Sequence, residues 1–436
     1  MAPSQEEKLQ KSLTPTLLWG LGVGYVISGM YFGWNLGLEK GGTLGMAVAT
    51  FIVIILYITF SLSYAELACA IPKAGGAFDY ANRALGKKWG FLAGMSQNIE
   101  FLFAPPAIAV GIGSYFHVIF PQFSVTGIAI TAYILFTLLN ILGTKLASAF
   151  ELVITILAVL GLIIFWVVVF PDFEFKNLRV NALPNGWSGS FAALPFAIWF
   201  FLGIEGLANV AEESVNPQKD ITWGFGSAMT TLVVLCLLTF LAAVGVNGWE
   251  TIVYNADGSA SDSPLPMAMS QVIGSNSGVY QLIVGIGTCG LIASFHGLVL
   301  AAGRSTFEFG RVGNAPGFLG RVNNRFKTPA NALLVNMVLG VLALLTNSTA
   351  DIIILSAFGA LTMYIFSVVS LLVLRKKEPE LTRPFRVPLY PVSPLIALVI
   401  ASIALMAMII YNPMLALVFF AILIGSFVLA EIIKKV

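Results

Sequence analysis

Apolar runs long enough to cross about 30 Å of hydrocarbon, roughly twenty residues each, recur along the whole chain. They lie near 17–38, 44–70, 90–118, 124–142, 147–170, 192–211, 222–246, 279–303, 330–346, 351–374, 393–411 and 413–433, with polar and charged residues gathered between them. This pattern predicts an all-α polytopic membrane protein with twelve transmembrane helices. Two of the runs are interrupted. Run 6, LPFAIWFFLGIEGLANVAEESVNPQKD from Leu194, starts as an aromatic helix and then places Glu205 between Gly203 and Gly206, where a continuous helix is weakest. Run 1, LLWGLGVGYVISGMYFGWNLGLEKGG, carries Gly20, Gly24, Gly29, Gly33 and Gly37, and the polar Asn35 between the last two marks an unwound segment. Taken alone, run 6 has a packing kink with a satisfied Glu as its alternative, and run 1 a plain small-residue packing face.

The two interruptions correspond. Gly33 and Gly203 are 170 residues apart, and so are Asn35 and Glu205. That offset is what a repeat of five spans produces, and because five is odd the second copy enters the membrane inverted. The expected architecture is therefore a five-plus-five inverted repeat with broken helices 1 and 6. Its parts are an N-terminal segment (1–16), a first repeat (17–170), a second repeat (171–374) and a loop with two additional helices (375–436). Broken helices in corresponding positions of inverted repeats point to a central transporter site.

Composition narrows the class further. The chain is 58% hydrophobic and only 10% charged, with a mean hydropathy of +0.90, which excludes a soluble globular protein. A net charge of +2 gives no reason to expect a nucleic-acid partner. The placement of the basic residues matters more than their sum. Of the 23 Lys and Arg residues, only Lys40, Lys176 and Arg179 fall in segments opposite the termini, so both termini are expected in the cytoplasm and the chain in the plasma membrane. The other side takes Lys8, Lys11, Lys73, Arg83, Lys87, Lys88, Lys145, Lys219, Lys434, Lys435 and the clusters Arg304–Lys327 and Arg375–Arg386. No small-residue cleavage site follows the first apolar run, so no cleaved signal peptide is expected. Cys69, Cys236 and Cys289 are scattered through apolar runs, which reads as small core residues rather than a disulfide or metal framework. With His117 and His296 the only histidines, no histidine-rich metal site and no cofactor are expected.

A carboxylate in hydrocarbon is costly and persists only when it faces a partner or a polar cavity. Glu205 is one such acid. Glu100 is the other placed at mid-depth, in SQNIEFLFAPPAIAV, where Pro105 and Pro106 free backbone carbonyls nearby. Glu66, Glu151, Asp351 and Glu431 lie nearer span ends and read as interfacial groups. His296, deep in run 8, either bonds a neighbouring helix or lines the cavity. GIGTCG at Gly285–Gly290 has the letters of a dinucleotide fingerprint but no preceding strand, and no HExxH, GxSxG or Walker loop is present, so no enzyme is expected.

Three stretches carry a resemblance: YAELACAIPKAGGAFDYANRALGKKWGFLAG from Tyr64, GIEGLANVAEESVNPQKDI in run 6, and RKKEPELTRPFRVPLYPVSP from Arg375. With them the chain resembles the amino acid-polyamine-organocation (APC) superfamily of permeases over nearly its whole length. The resemblance implies the leucine-transporter-like fold, with substrate between broken spans 1 and 6 and flanked by spans 3 and 8. Amino-acid permeases of the superfamily usually carry a Gly-Ser-Gly-like turn in span 1 for the substrate carboxylate. Here that place reads Gly33-Trp34-Asn35, and SGMYFGWNLGLEKGG with WFFLGIEG is similar to the ethanolamine permease branch. The implied function is secondary transport that takes up ethanolamine or a related small amine. The expected substrate-binding residues are Tyr31, Gly33, Trp34, Asn35, Glu100, Trp199, Phe200, Gly203, Glu205 and His296. Some proton-coupled relatives hold a Lys in span 5. Here that position falls at about Ala158, which leaves a coupling proton or sodium ion, uniport and exchange all open. An amino-acid permease is the alternative within the same class, a channel or membrane-embedded enzyme the remote ones; oligomeric state is not legible.

Overall fold

The computed structural model describes residues 11–142, 144–346 and 348–433, with backbone alone for 144–149 and 433. Lys8, Lys434, Lys435 and the side chain of Lys145 lie outside the described residues. Helix α1 (Pro15–Val26) starts where Thr14 accepts the Leu17 N–H and Pro15 supplies a pre-set φ at the first position. Helix α2 (Ser28–Tyr31) continues it and stops at Phe32, whose backbone is extended. Helix α3 (Leu36–Ala70) bends at Gly42 (φ 62°), where the second piece of run 1 turns into run 2. Then come α4 (Ala77–Leu85), α5 (Lys87–Ile119), α6 (Val125–Leu142) and α7 (Thr144–Val169). Run 6 is split into α8 (Ser188–Ala192), α9 (Leu194–Trp199) and α10 (Gly206–Asn209). The rest is α11 (Pro217–Gly245), α12 (Pro264–Ile273), α13 (Gly278–Arg311), α14 (Ala330–Leu344), α15 (Thr349–Lys377), α16 (Val392–Tyr411) and α17 (Pro413–Ile433).

Among the described residues, nine helices are long and apolar enough to cross a membrane, and the protein is an all-α polytopic membrane protein. The three apolar runs not among the nine have physical reasons for their absence. Runs 1 and 6 are broken, and α14 is shorter than the rest. Burial sorts the helices into layers: the most apolar window of α15 is 83% buried and that of α13 is 72%, against 22% for α17. The first two are therefore central and α17 is peripheral, with exposed Leu, Ile, Val and Met on α6, α7, α16 and α17 meeting lipid. Cys69 and Cys236 are buried, Cys289 is half-buried, and all three are free thiols.

Two acids read as interfacial are fully buried instead. Glu66, near the end of α3, receives two guanidinium groups because the segment after α15 folds back against it. Its Oε1 lies 2.7 Å from Arg375 Nε and 3.4 Å from Arg383 Nε, and its Oε2 accepts from Arg375 and from the Val387 N–H at 2.7 Å each. Glu151 is likewise 1% exposed and sits against His296. Neither burial is visible in hydropathy, because the partners come from distant parts of the chain. Removing one member of a buried pair strands the other charges, at a cost of about 3–5 kcal/mol. Glu66→Ala is expected to lower the melting temperature of purified protein sharply, and an unchanged melting curve would remove this cluster from the list of fold determinants.

Candidate substrate site

Both interruptions are built the same way. Gly33 (φ 87°) and Gly203 (φ 105°) adopt left-handed backbone that an L side chain resists. In each, the glycine N–H is taken up by a side-chain oxygen two residues on: Gly33 N–H donates to Asn35 Oδ1 at 3.1 Å, and Gly203 N–H to Glu205 Oε1 at 3.0 Å. The breaks are also tied to each other. Trp199 Nε1 donates to the Phe32 carbonyl at 3.0 Å, and Trp34 stacks on Phe200 with ring centroids 5.3 Å apart. A Cβ at Gly29 would stand 2.4 Å from the Trp199 carbonyl oxygen, so only glycine permits this approach of the two spans.

The acids meet beside the second break. Glu205 has both oxygens engaged, since Oε2 accepts from Tyr364 at 2.9 Å, and the Tyr364 hydroxyl lies 3.0 Å from that of Tyr57. Glu100 comes from α5, held close to α15 where Gly359 leaves room; a Cβ there would be 2.7 Å from the Glu100 nitrogen. Ser356 donates to the Glu100 carbonyl at 2.9 Å. The Glu100 carboxyl is fully buried, neither of its oxygens meets a donor, and its neighbour is the Glu205 carboxyl. Two carboxyls bond each other only when one carries a proton. A cation between them would serve both.

Polar layers close the site from both directions. On the side away from the termini, Asn35 Nδ2 donates to the carbonyls of Ser261 at 2.8 Å and Ile252 at 3.3 Å, fastening the loop before α12. On the side of the termini, Gln97 Nε2 donates to Asn209 Oδ1 and Asn209 Nδ2 to the Ala74 carbonyl, each at 2.8 Å. The loop before α4 is held again by Glu212, which accepts the Ala74 N–H at 3.1 Å. Arg304 and Glu213 pair nearby at 2.7 Å. At the foot of this layer, burial pushes the Asp79 carboxyl up to about 6, with Glu308 adding to the effect. One layer must part before a molecule reaches the acids.

The remaining expected residues divide. Tyr31 donates to the Ala158 carbonyl at 2.6 Å, and its own carbonyl accepts from Tyr115 at 2.6 Å. Its ring fills the space that Gly287 and Gly290 leave on α13, beside a narrow crevice it shares with Tyr115, Gly161 and Phe165. His296 stands apart from the acid pair, with Nδ1 3.0 Å from Glu151 Oε2. Tyr364, which donates to Glu205, and Tyr57, which bonds the Tyr364 hydroxyl, carry no signal in the sequence, because a tyrosine in an apolar helix reads as packing.

A family model described as amino acid permease matches residues 16–430. The chain belongs to the amino acid permease family. Within the APC superfamily it is a transporter, not an enzyme. It is 27% identical over 412 residues to an uncharacterized transporter of Rhizobium meliloti (strain 1021), covering 92% of this chain and 87% of the relative. It is 26% identical to the branched-chain amino acid permease BcaP of Bacillus subtilis (strain 168), covering 91% and 88%. The low-affinity putrescine importer PlaP of Escherichia coli (strain K12) is 27% identical, covering 85% and 83%. Among the described residues no cluster of His, Cys, Asp and Glu fits a metal ion.

Proposed function

We propose that this permease imports ethanolamine or a closely related small amine across the plasma membrane by alternating access. The observation that carries the reading is Glu100, a fully buried carboxyl with two unpartnered oxygens facing a second carboxyl. An ammonium taken from water must recover its solvation from a counter-charge and from oxygen atoms. Trp199, Phe200, Trp34 and Tyr31 around the breaks offer ring faces suited to a small cation. Four of the donors in the same place are already engaged. The N–H groups of Gly33 and Gly203 are taken by Asn35 and Glu205, that of Ser28 by Ser294 Oγ at 2.9 Å, and the Trp199 indole by Phe32. His296 belongs to this site only through its helix.

The architecture that goes with this function is twelve spans: the nine long helices, α14, and the two broken runs. Residues 17–170 and 171–374 form the inverted repeats, flanked by 1–16 and 375–436. The identical capping of Gly33 and Gly203 supports the repeat. Both termini lie in the cytoplasm. In a cysteine-free background, Gly317→Cys on the exposed loop after α13 is expected to resist impermeant thiol reagents in intact cells; rapid labelling would invert the topology.

The second reading is an amino-acid permease, favoured by the relative named as a branched-chain amino acid permease. Thermal stabilisation of purified protein by ethanolamine, choline, putrescine, serine, leucine, glutamate and lysine separates the two, since stabilisation grows with ligand concentration above the dissociation constant. Stabilisation by ethanolamine alone, or with other small amines, is the expected outcome. Stabilisation by leucine or serine and none by ethanolamine would replace this reading with the second.

A further inference from the structure

A second buried carboxyl, away from the acid pair, leaves half of its bonding capacity unused. Glu151 lies about two turns into α7; its Oε2 is 3.0 Å from His296 Nδ1 on α13, and its Oε1 meets no donor. That free oxygen points at α1. A Cβ at Gly24 would come within 2.5 Å of it and one at Gly297 within 3.1 Å, so the carboxyl occupies a notch that two glycines leave open. Hydroxyls grip α1 on either side: Thr155 of α7 donates to the Gly20 carbonyl at 3.1 Å, and Ser294 of α13 to the Gly24 carbonyl at 2.6 Å.

We propose that the Glu151–His296 pair is a proton-binding site whose occupancy controls whether α1, the first half of broken span 1, stays packed on α7 and α13. This rests on the transport function and the topology above, not on the identity of the substrate. The pair keeps its hydrogen bond in two charge states. A neutral imidazole with its hydrogen on Nδ1 donates to the carboxylate, giving a net negative pair; one more proton, on Nε2, makes it an imidazolium–carboxylate of zero net charge. With α1 in place, Glu151 Oε1 is dry and without a donor, which is costly for a net negative pair and much less so for a neutral one. When α1 parts, water reaches that oxygen and the penalty falls. The packed state therefore binds the proton more tightly than the parted one, and by linkage a proton taken up favours closure towards the cytoplasm.

Neighbouring groups leave this balance to the pair itself. From α1 comes the Tyr25 hydroxyl, which is buried without a partner. Arg304 of α13 and Glu213 neutralise each other at 2.7 Å. From α6, Phe136 packs edge-on to the imidazole, and the Asn140 amide reaches the His296 carbonyl at 3.3 Å. Phe150 of α7 covers the imidazole with a ring centroid 5.6 Å away.

The chain has two histidines, and His117 is half-buried near the end of α5, with Nδ1 near the Phe123 carbonyl. His117→Gln therefore leaves His296 as the sole imidazole in the full-length protein. Ring-nitrogen NMR of 15N-histidine-labelled protein in lipid nanodiscs, from about pH 5 to about pH 9 where a histidine changes charge, needs no substrate. A neutral Nδ1–H imidazole at high pH and an imidazolium at low pH are expected. In parallel, the pH profile of uptake is measured for Glu151→Gln and His296→Gln, using ethanolamine or whichever compound of the panel stabilises the protein. Both variants are expected to lose the pH dependence of uptake while keeping the wild-type ligand stabilisation. An imidazole that stays neutral throughout would overturn the proposal, as would variants that retain the wild-type pH profile. Failure of ethanolamine to bind would affect only the substrate reading.

Discussion

Glu100→Gln is expected to abolish detectable ethanolamine uptake in protein that still reaches the membrane and keeps its melting curve. The change preserves shape and removes only charge, so the loss isolates electrostatics. A buried charge deprived of its partner costs about 2–5 kcal/mol, equivalent to about 30-fold or more in affinity. Glu205→Gln is expected to weaken binding as well, but with a different signature. The glutamine oxygen can still accept the Gly203 N–H, so the break in run 6 survives, while the Tyr364 hydroxyl loses an anionic acceptor. Wild-type binding by both variants in scintillation-proximity titrations would remove the acid pair from the mechanism.

Serine is expected to compete at least about 100-fold less well than ethanolamine for wild-type protein. It adds only a carboxylate to the same skeleton, and a charged group buried without donors costs several kcal/mol. The N–H groups of the two break glycines, Gly33 and Gly203, are already taken by Asn35 and Glu205. Trp34 occupies the remaining room, its indole N–H turned to the Met30 carbonyl at 3.2 Å. Trp34→Ser is expected to narrow the gap between the two compounds. Asn35→Gly does more than open space, because the Asn35 amide also fastens the loop at Ile252 and Ser261, so that variant is expected to lose binding of both. Strong displacement of labelled ethanolamine by unlabelled serine in the wild type would promote the amino-acid permease.

The breaks were legible because an interrupted helix in lipid needs residues that are conspicuous among apolar neighbours. Glycine permits positive φ, and a polar side chain two positions on can cap the freed N–H. Gly33 with Asn35 and Gly203 with Glu205 satisfy both requirements at one spacing, so sequence alone located the pair of discontinuities and the membrane class. It located Glu100 as well, since an acid shortly before two prolines in an apolar helix has no local reason to be there.

Sequence could not tell which groups those acids would meet. Depth along a helix follows from its own residues, whereas burial depends on what packs against it. Glu66 and Glu151 therefore read as interfacial in the sequence, whereas Arg375 and Arg383, at and beyond the end of α15, and His296 on α13 meet them from distant parts of the chain. Nor does the sequence show that the Asn35 amide reaches a loop more than two hundred residues on. Composition and periodicity determine that this chain enters a membrane and where its helices break. Only the packing of α5, α7, α13 and α15 around those breaks decides which buried charges face each other, because in a low-dielectric interior the free energy of a charge is set by its nearest partners.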